Sequence, residues 1–156
     1  MKNTIKHHYT IAIISGAILL LLDVITKLWV TYFSYKPIIF IKNFFYLTDF
    51  QTNSGIAFGI GLPMMVQIIG SLVVLAILLH VGYQYIFSSK KRQFLKPLLF
   101  GIIMGGAVGN LIDRIVQGYV IDFIVLKPIP VFNIADIGVT VGLIGLFLAM
   151  LSDSKT

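Results

Sequence analysis

Two aspartates sit in contrasting surroundings. Asp122 lies in Tyr119-Val-Ile-Asp-Phe-Ile-Val125, a strongly apolar stretch. An isolated carboxyl there is pushed toward its neutral form, because desolvation penalises charge. Asp136 closes Phe132-Asn-Ile-Ala-Asp136, in the first turn of an apolar run. A helix N-terminus favours the ionised carboxylate, and Asn133 is placed to cap that helix. Two carboxyls in contrasting environments are the raw material of an acid/base pair. The ionised member takes a proton from water while the protonated one polarises a carbonyl, and the two titrate together. Spacing alone leaves a second reading open, with Asp136 as a helix-terminal charge and Asp122 as an interfacial one.

Other charges lie in or near apolar runs: Asp23, Lys27, Asp113 and Arg114. Each costs about 2.5–3.5 kcal/mol at the centre of a membrane helix on insertion scales, so each needs a reason to be there. Asp23 and Lys27 are i,i+4 and can pair on one helix face, as can Asn110 and Arg114. Asp23–Lys27 reads equally as a neutralising packing pair or as part of a site. Asp113 beside Arg114 reads as a structural pair.

The elements that carry these residues follow from hydropathy. The chain of 156 residues is 58% hydrophobic and 12% charged, with a mean hydropathy of +0.96. A soluble domain carries roughly a quarter charged residues. Four apolar runs, at about 11–33, 64–87, 97–115 and 132–151, each approach the length of about 20 residues that crosses a bilayer. The expectation is a mainly α, integral membrane protein, a single membrane domain over 1–156. Residues 34–63 are rich in aromatics, among them Tyr35, Phe40, Phe44, Phe45, Tyr46, Phe50 and Phe58. Alternation in Ile38–Phe50 suggests short strands, forming an amphipathic platform at the membrane surface, where aromatics settle.

Lys2, Lys6, Lys90, Lys91, Arg92, Lys96 and Lys155 fall on one side of these spans, and Lys36, Lys42 and Lys127 on the other. The positive-inside rule then puts both termini in the cytoplasm and the platform outside. On this topology Asp23, Lys27, Asn53, Asn110, Asp113, Arg114, Asn133 and Asp136 share one depth, at the outer leaflet. Gly101, Gly105 and Gly109, with Gly106, and then Gly138 and Gly142, are spaced for close helix packing in lipid.

Several classes are excluded or disfavoured. Cysteine is absent, which removes disulfides and thiolate chemistry. His7, His8 and His80 have no acidic partners at metal-ligand spacing. The net charge of +6 belongs to the loops that set topology, and no basic stripe with interleaved aromatics points to nucleic acid. The first run is longer than the apolar core of a cleavable signal peptide, and no A-x-A-like site follows it.

Taken together, the motifs resemble the lipoprotein signal peptidase (signal peptidase II) family over nearly the whole chain. Asp23-Val-Ile-Thr-Lys27 resembles its first motif. Thr52-Asn-Ser-Gly-Ile-Ala-Phe-Gly59 resembles its Asn-x-Gly-x-Ala-Phe motif. Gly105-Gly-Ala-Val-Gly-Asn-Leu-Ile-Asp-Arg114, with Gly118-Tyr-Val-Ile-Asp-Phe-Ile124, resembles its third block, and Val131-Phe-Asn-Ile-Ala-Asp136 its last. The resemblance implies a four-helix transmembrane bundle with a small extracytoplasmic β-cradle. It implies a bacterial plasma-membrane aspartic endopeptidase that cuts prolipoproteins just before a diacylglyceryl-modified cysteine, without a cofactor. By position it makes Asp122 and Asp136 catalytic and puts Asp23, Asn53, Asn110, Arg114 and Asn133 at the substrate, with Lys27 and Gly55 in support. Membrane lipid and the lipidated precursor are the implied partners, and nucleic acid is not one.

Two departures from the family pattern stand out: Val24 replaces a frequent Gln, and the segment between Asp122 and Asp136 is short, with Pro128 and Pro130. The residues alone also admit a small proton-coupled transporter, a Ser54/Lys27 peptidase, or a non-catalytic scaffold. A transporter would want polar groups through the inner halves of the spans, where they are scarce.

Overall fold

The computed structural model describes residues 2–33, 36–56, 60–87 and 94–153. Tyr35, Phe58, Gly59, Lys90, Lys91, Arg92 and Lys155, used above, lie outside them. Among the described residues four helices are long and apolar enough to cross a membrane. They are α1 (Lys2–Phe33), α2 (Met64–Gly82), α3 (Leu95–Val116) and α4 (Ile134–Asp153). A π-helical turn, Tyr83–Phe87, continues α2. The protein is a multi-pass membrane protein, mainly helical, with a small antiparallel sheet.

Helix α1 starts at Lys2, well before its apolar run. The polar N-terminal stretch is therefore helical, and His8 within it is fully buried. The outward faces stay apolar and exposed, as with Ile13, Leu21 and Ile25 on α1 and Leu72, Val73 and Ile77 on α2. A helix apolar all round is suited to lipid rather than water. Helix α3 is central, packing against α1, α4 and α2. Ala12, Ile86, Phe87, Leu99, Phe100, Ile103 and Leu146 form the core at one end.

The glycine spacing on α3 has a direct cause. A Cβ on Gly101 would strike the Ala12 backbone oxygen, and one on Gly105 would strike that of Gly16. The α1 and α3 backbones therefore touch without side chains between them, as small residues permit in lipid. Farther along the same seam, a Cβ on Gly109 would come 2.8 Å from Asp23 Oδ2. That glycine leaves room for a carboxylate.

Among the described residues five strands cover the other end: β1 (Ile38–Ile41), β2 (Phe45–Asn53), β3 (Gly55–Ile56), β4 (Ile60–Gly61) and β5 (Val120–Leu126). One sheet has the order β1-β2-β5, all antiparallel, and β3 pairs with β4. The apolar stretch around Asp122 is thus a strand. Its β-branched run, Val120-Ile-Asp-Phe-Ile-Val, suits a pleated surface, and β2 supplies the partner. Beneath the sheet Val30 of α1 packs with Ile121, Phe123 and Ile124. The β2–β5 register slips between Leu47 and Gln51. Such irregularities bend a strand and re-aim its side chains.

Candidate active site

The sheet places Asp122 through its neighbours. Asp122 pairs with Gln51 across β2, and Asn53 lies two residues farther along β2. Asn53 Nδ2 donates to Asp122 Oδ2 at 2.9 Å, while Asn53 Oδ1 accepts from the Gly55 amide at 3.0 Å. That short turn fixes the Asn53 side chain. After β5 the chain folds back, and Phe132 pairs with Ile124. This return sets Asn133 beside Asp122, and its Nδ2 donates to Asp122 Oδ1 at 2.8 Å.

Asn133 also starts α4. The Asp136 amide donates to Asn133 Oδ1 at 2.9 Å, and the Asn133 amide donates to Asp136 Oδ2 at 3.3 Å. This is a capping box with Asp at the position usually held by Glu or Gln. The other Asp136 oxygen, Oδ1, accepts from Asn110 Nδ2 of α3 at 2.8 Å. One asparagine therefore touches both carboxyls.

Asp122 is 3% exposed. Burial pushes its carboxyl up to about 6, and the charge of Asp136 adds to the rise. The amides of Asn53 and Asn133 act the other way. The desolvation read from the apolar sequence is the leading cause, but the carboxyl is not isolated.

Behind the pair lies a buried ionic cluster. Lys27 Nζ contacts Asp23 Oδ2 at 2.6 Å, Asp113 Oδ2 at 2.8 Å and Asn110 Oδ1 at 3.2 Å. An ammonium has three N–H donors, and all are engaged, so none is left for Ser54. Asp23 Oδ1 accepts from the Ala135 amide at 2.9 Å. Asn110 Oδ1 receives both Lys27 and Asn133, the latter at 3.1 Å. Its Nδ2 is thereby turned toward Asp136. The i,i+4 pairing of Asp23 and Lys27 is present, but Asp113 pairs with Lys27 and not with Arg114. Adjacent residues on a helix point about a quarter-turn or more apart and do not face each other.

Arg114 turns elsewhere. Its Nε donates to Gln67 Oε1 at 3.1 Å and its Nη1 to the Asn110 backbone oxygen at 3.2 Å. A cavity of about 490 Å³ opens between α2, α3 and α4, with Gln67, Asn110, Arg114 and Asp136 on its wall. Val66, Val74 and Val139 give it apolar sides. Asp23, Lys27, Asn53, Asn110, Asn133, Asp122 and Asp136 thus form one connected network, and Gly55 closes the turn that holds Asn53. Arg114 joins it through Asn110. Gln67 escaped the sequence reading. Its signal was a lone amide in the first turn of an apolar span, at the depth of the other polar groups.

A buried polar network at one end of a four-helix membrane bundle, roofed by a small sheet, is the architecture of a membrane enzyme. Two solved structures described as bacterial membrane enzymes share it. One matches with a TM-score of 0.79 at 27% identity, covering 92% of this chain and 88% of that one. A second gives 0.75 at 27% identity, covering 91% and 93%. The family model for signal peptidase (SPase) II matches residues 15–152. A lipoprotein signal peptidase of Syntrophomonas wolfei is 39% identical over 90% of this chain and 93% of its own. One from Clostridium novyi is 41% identical over 87% and 94%. The chain belongs to the signal peptidase II family.

Proposed function

We propose that this protein is an aspartic endopeptidase that removes signal peptides from prolipoproteins, cutting just before the diacylglyceryl-modified cysteine. The observation that carries this reading is the shared hold of Asn133 on Asp122 and Asp136. It joins a carboxyl whose proton is retained up to about pH 6 to one at a helix N-terminus.

In this mechanism Asp136 takes a proton from water, and the resulting hydroxide attacks the scissile carbonyl. Asp122 gives its proton to the carbonyl oxygen. Collapse of the tetrahedral intermediate breaks the C–N bond: one of its hydroxyls returns a proton to Asp122 as the new carboxyl forms, and the proton on Asp136 passes to the leaving nitrogen. The lipidated cysteine becomes the new N-terminus. Asn53, Asn110 and Asn133 hold the carboxyls and border the substrate, Asp23 and Lys27 brace them, and Arg114 offers donors to substrate backbone carbonyls. No cofactor enters the scheme.

The chain acts as a single membrane domain over 1–156, with both termini cytoplasmic and the site at the outer face of a bacterial plasma membrane. The cavity between α2, α3 and α4 admits the signal helix sideways from lipid.

The test uses purified protein in lipid nanodiscs and a lipidated prolipoprotein. Asp122→Asn and Asp136→Asn each lower cleavage by about 10²–10⁴-fold, the usual weight of a general acid or base. Retained cleavage by either variant removes that residue from the pair. An unlipidated precursor cut as fast as the lipidated one refutes the cysteine-lipid requirement.

A further inference from the structure

We infer that Gln67 is a positioning residue for Arg114, fixing its guanidinium toward substrate and away from Asp136. The inference rests on the proposed role of Arg114 at the substrate. Gln67 is 4% exposed, on a helix whose other buried residues are Leu75 and Gly82. A buried amide is costly unless its hydrogen bonds are made.

Its bonds define its direction. Nε2 donates to the Ser54 backbone oxygen at 2.8 Å and to that of Leu62 at 2.7 Å. Both amide protons are thus spent on the chain segment leading into α2. The remaining atom, Oε1, faces Arg114 and accepts from Nε at 3.1 Å. Reversing the amide would set its oxygen against two carbonyls and a nitrogen donor against a guanidinium. The orientation is therefore imposed on Gln67 before Arg114 is considered.

Arg114 is then held at two nitrogens, Nε by Gln67 and Nη1 by the Asn110 backbone oxygen at 3.2 Å. A guanidinium is planar and rigid, so two such bonds fix its plane. Nη2 remains for the cavity, whose wall Arg114 shares with Asp136. Among the described residues no ion pair joins Arg114 to Asp136; the ion pairs found are those of Lys27. Without the Nε tether, Arg114 keeps one bond and is free to swing onto the carboxylate. That would quench the base and withdraw the donors from substrate.

The experiment is a double-mutant cycle on the protein in nanodiscs, with kcat and KM measured separately for a lipidated precursor. Gln67→Leu lowers kcat/KM by about tenfold to hundredfold, the range for a lost bond to a charged group. KM carries part of this loss, rising as the Arg114 donors leave the substrate, which a mere fall in the amount of folded enzyme would not produce. In an Arg114→Gln background, Gln67→Leu adds no further loss and no further rise in KM. Gln67→Met, unbranched and of similar length, replaces the Leu variant if that one fails to accumulate. Full activity in Gln67→Leu, an unchanged KM, or losses that multiply across the cycle would overturn the inference. Full activity in Arg114→Gln alone would instead remove the substrate role of Arg114 on which it rests.

Discussion

Asn133 donates its side-chain amide to Asp122 at 2.8 Å while its own backbone amide reaches Asp136. The same side chain caps α4 through the Asp136 amide. The start of α4 and the proposed acid pair are therefore one construction, and neither can move without the other.

Asn133→Ala removes both functions. Loss of an N-cap costs about 1 kcal/mol, which thermal unfolding in detergent reads directly. The larger effect falls on cleavage, which drops by about tenfold because the Asp122 carboxyl loses one of the two side-chain amides that hold it. Asn133→Asp preserves the cap but sets a third carboxylate against Asp122, so it recovers stability and not activity. Equal recovery of both would mean that the amide contact to Asp122 is dispensable.

The raised Asp122 carboxyl gives a pH dependence with a definite sign. Its pKa in the folded protein, about 6, lies above the ordinary value of 3.8. The folded state thus holds the proton more tightly than the unfolded chain does. The resulting stabilisation is complete below about 3.8 and is lost as pH rises through about 6. A displacement of this size corresponds to roughly 3 kcal/mol. Asp122→Asn cannot titrate, so the stability of the parent relative to this variant declines as pH is raised from 4 to 7, by up to about 3 kcal/mol. In the proposed mechanism Asp122 gives a proton to the carbonyl; that proton is lost over the same window, so kcat/KM falls as pH rises past about 6. A parent and variant with parallel stability profiles would contradict both statements.

Lys27 is wedged between two buried carboxylates. Lys27→Met leaves Asp23 and Asp113 facing each other without the cation and destabilises the protein by about 3–5 kcal/mol, as when one partner of a buried pair is removed. Neutralising all three, as Lys27→Met with Asp23→Asn and Asp113→Asn, restores much of the loss, because no uncompensated charge remains. Chemical unfolding in mixed micelles distinguishes the two. A triple variant no more stable than Lys27→Met would show that charge is not the source of the cost.

Local signals in the sequence revealed the helices and the gathering of the polar groups at one end of them. Apolar runs near 20 residues cannot be hidden, and charges within them stand out. The strand β5 was less legible, since a short apolar run fits a loop, a strand or a buried helix end until its partner is known. Its partner lies on β2, far away in sequence. The same limit hid the Lys27–Asp113 contact, which depends on how closely α1 and α3 approach. Neighbour spacing suggested Arg114 for Asp113; the glycine seam brought Lys27 instead. Gln67 was obscured for a different reason. A single uncharged amide is a weak mark against four runs of hydrophobic residues.

The pairing of Asp23 with Lys27 one turn apart has a consequence for biosynthesis. Helix α1 is made first, while Asp113 and the Ala135 amide, which later contact Lys27 and Asp23, belong to segments not yet translated. A lone Asp or Lys near the middle of a nascent span opposes its transfer from the translocon by about 2.5–3.5 kcal/mol. Carrying both charges within bonding reach on one face lets the first helix enter the bilayer as a nearly neutral rod. The pair waits there for the later helices, so the foundation of the polar network is laid before either aspartate of the proposed acid pair has been synthesised.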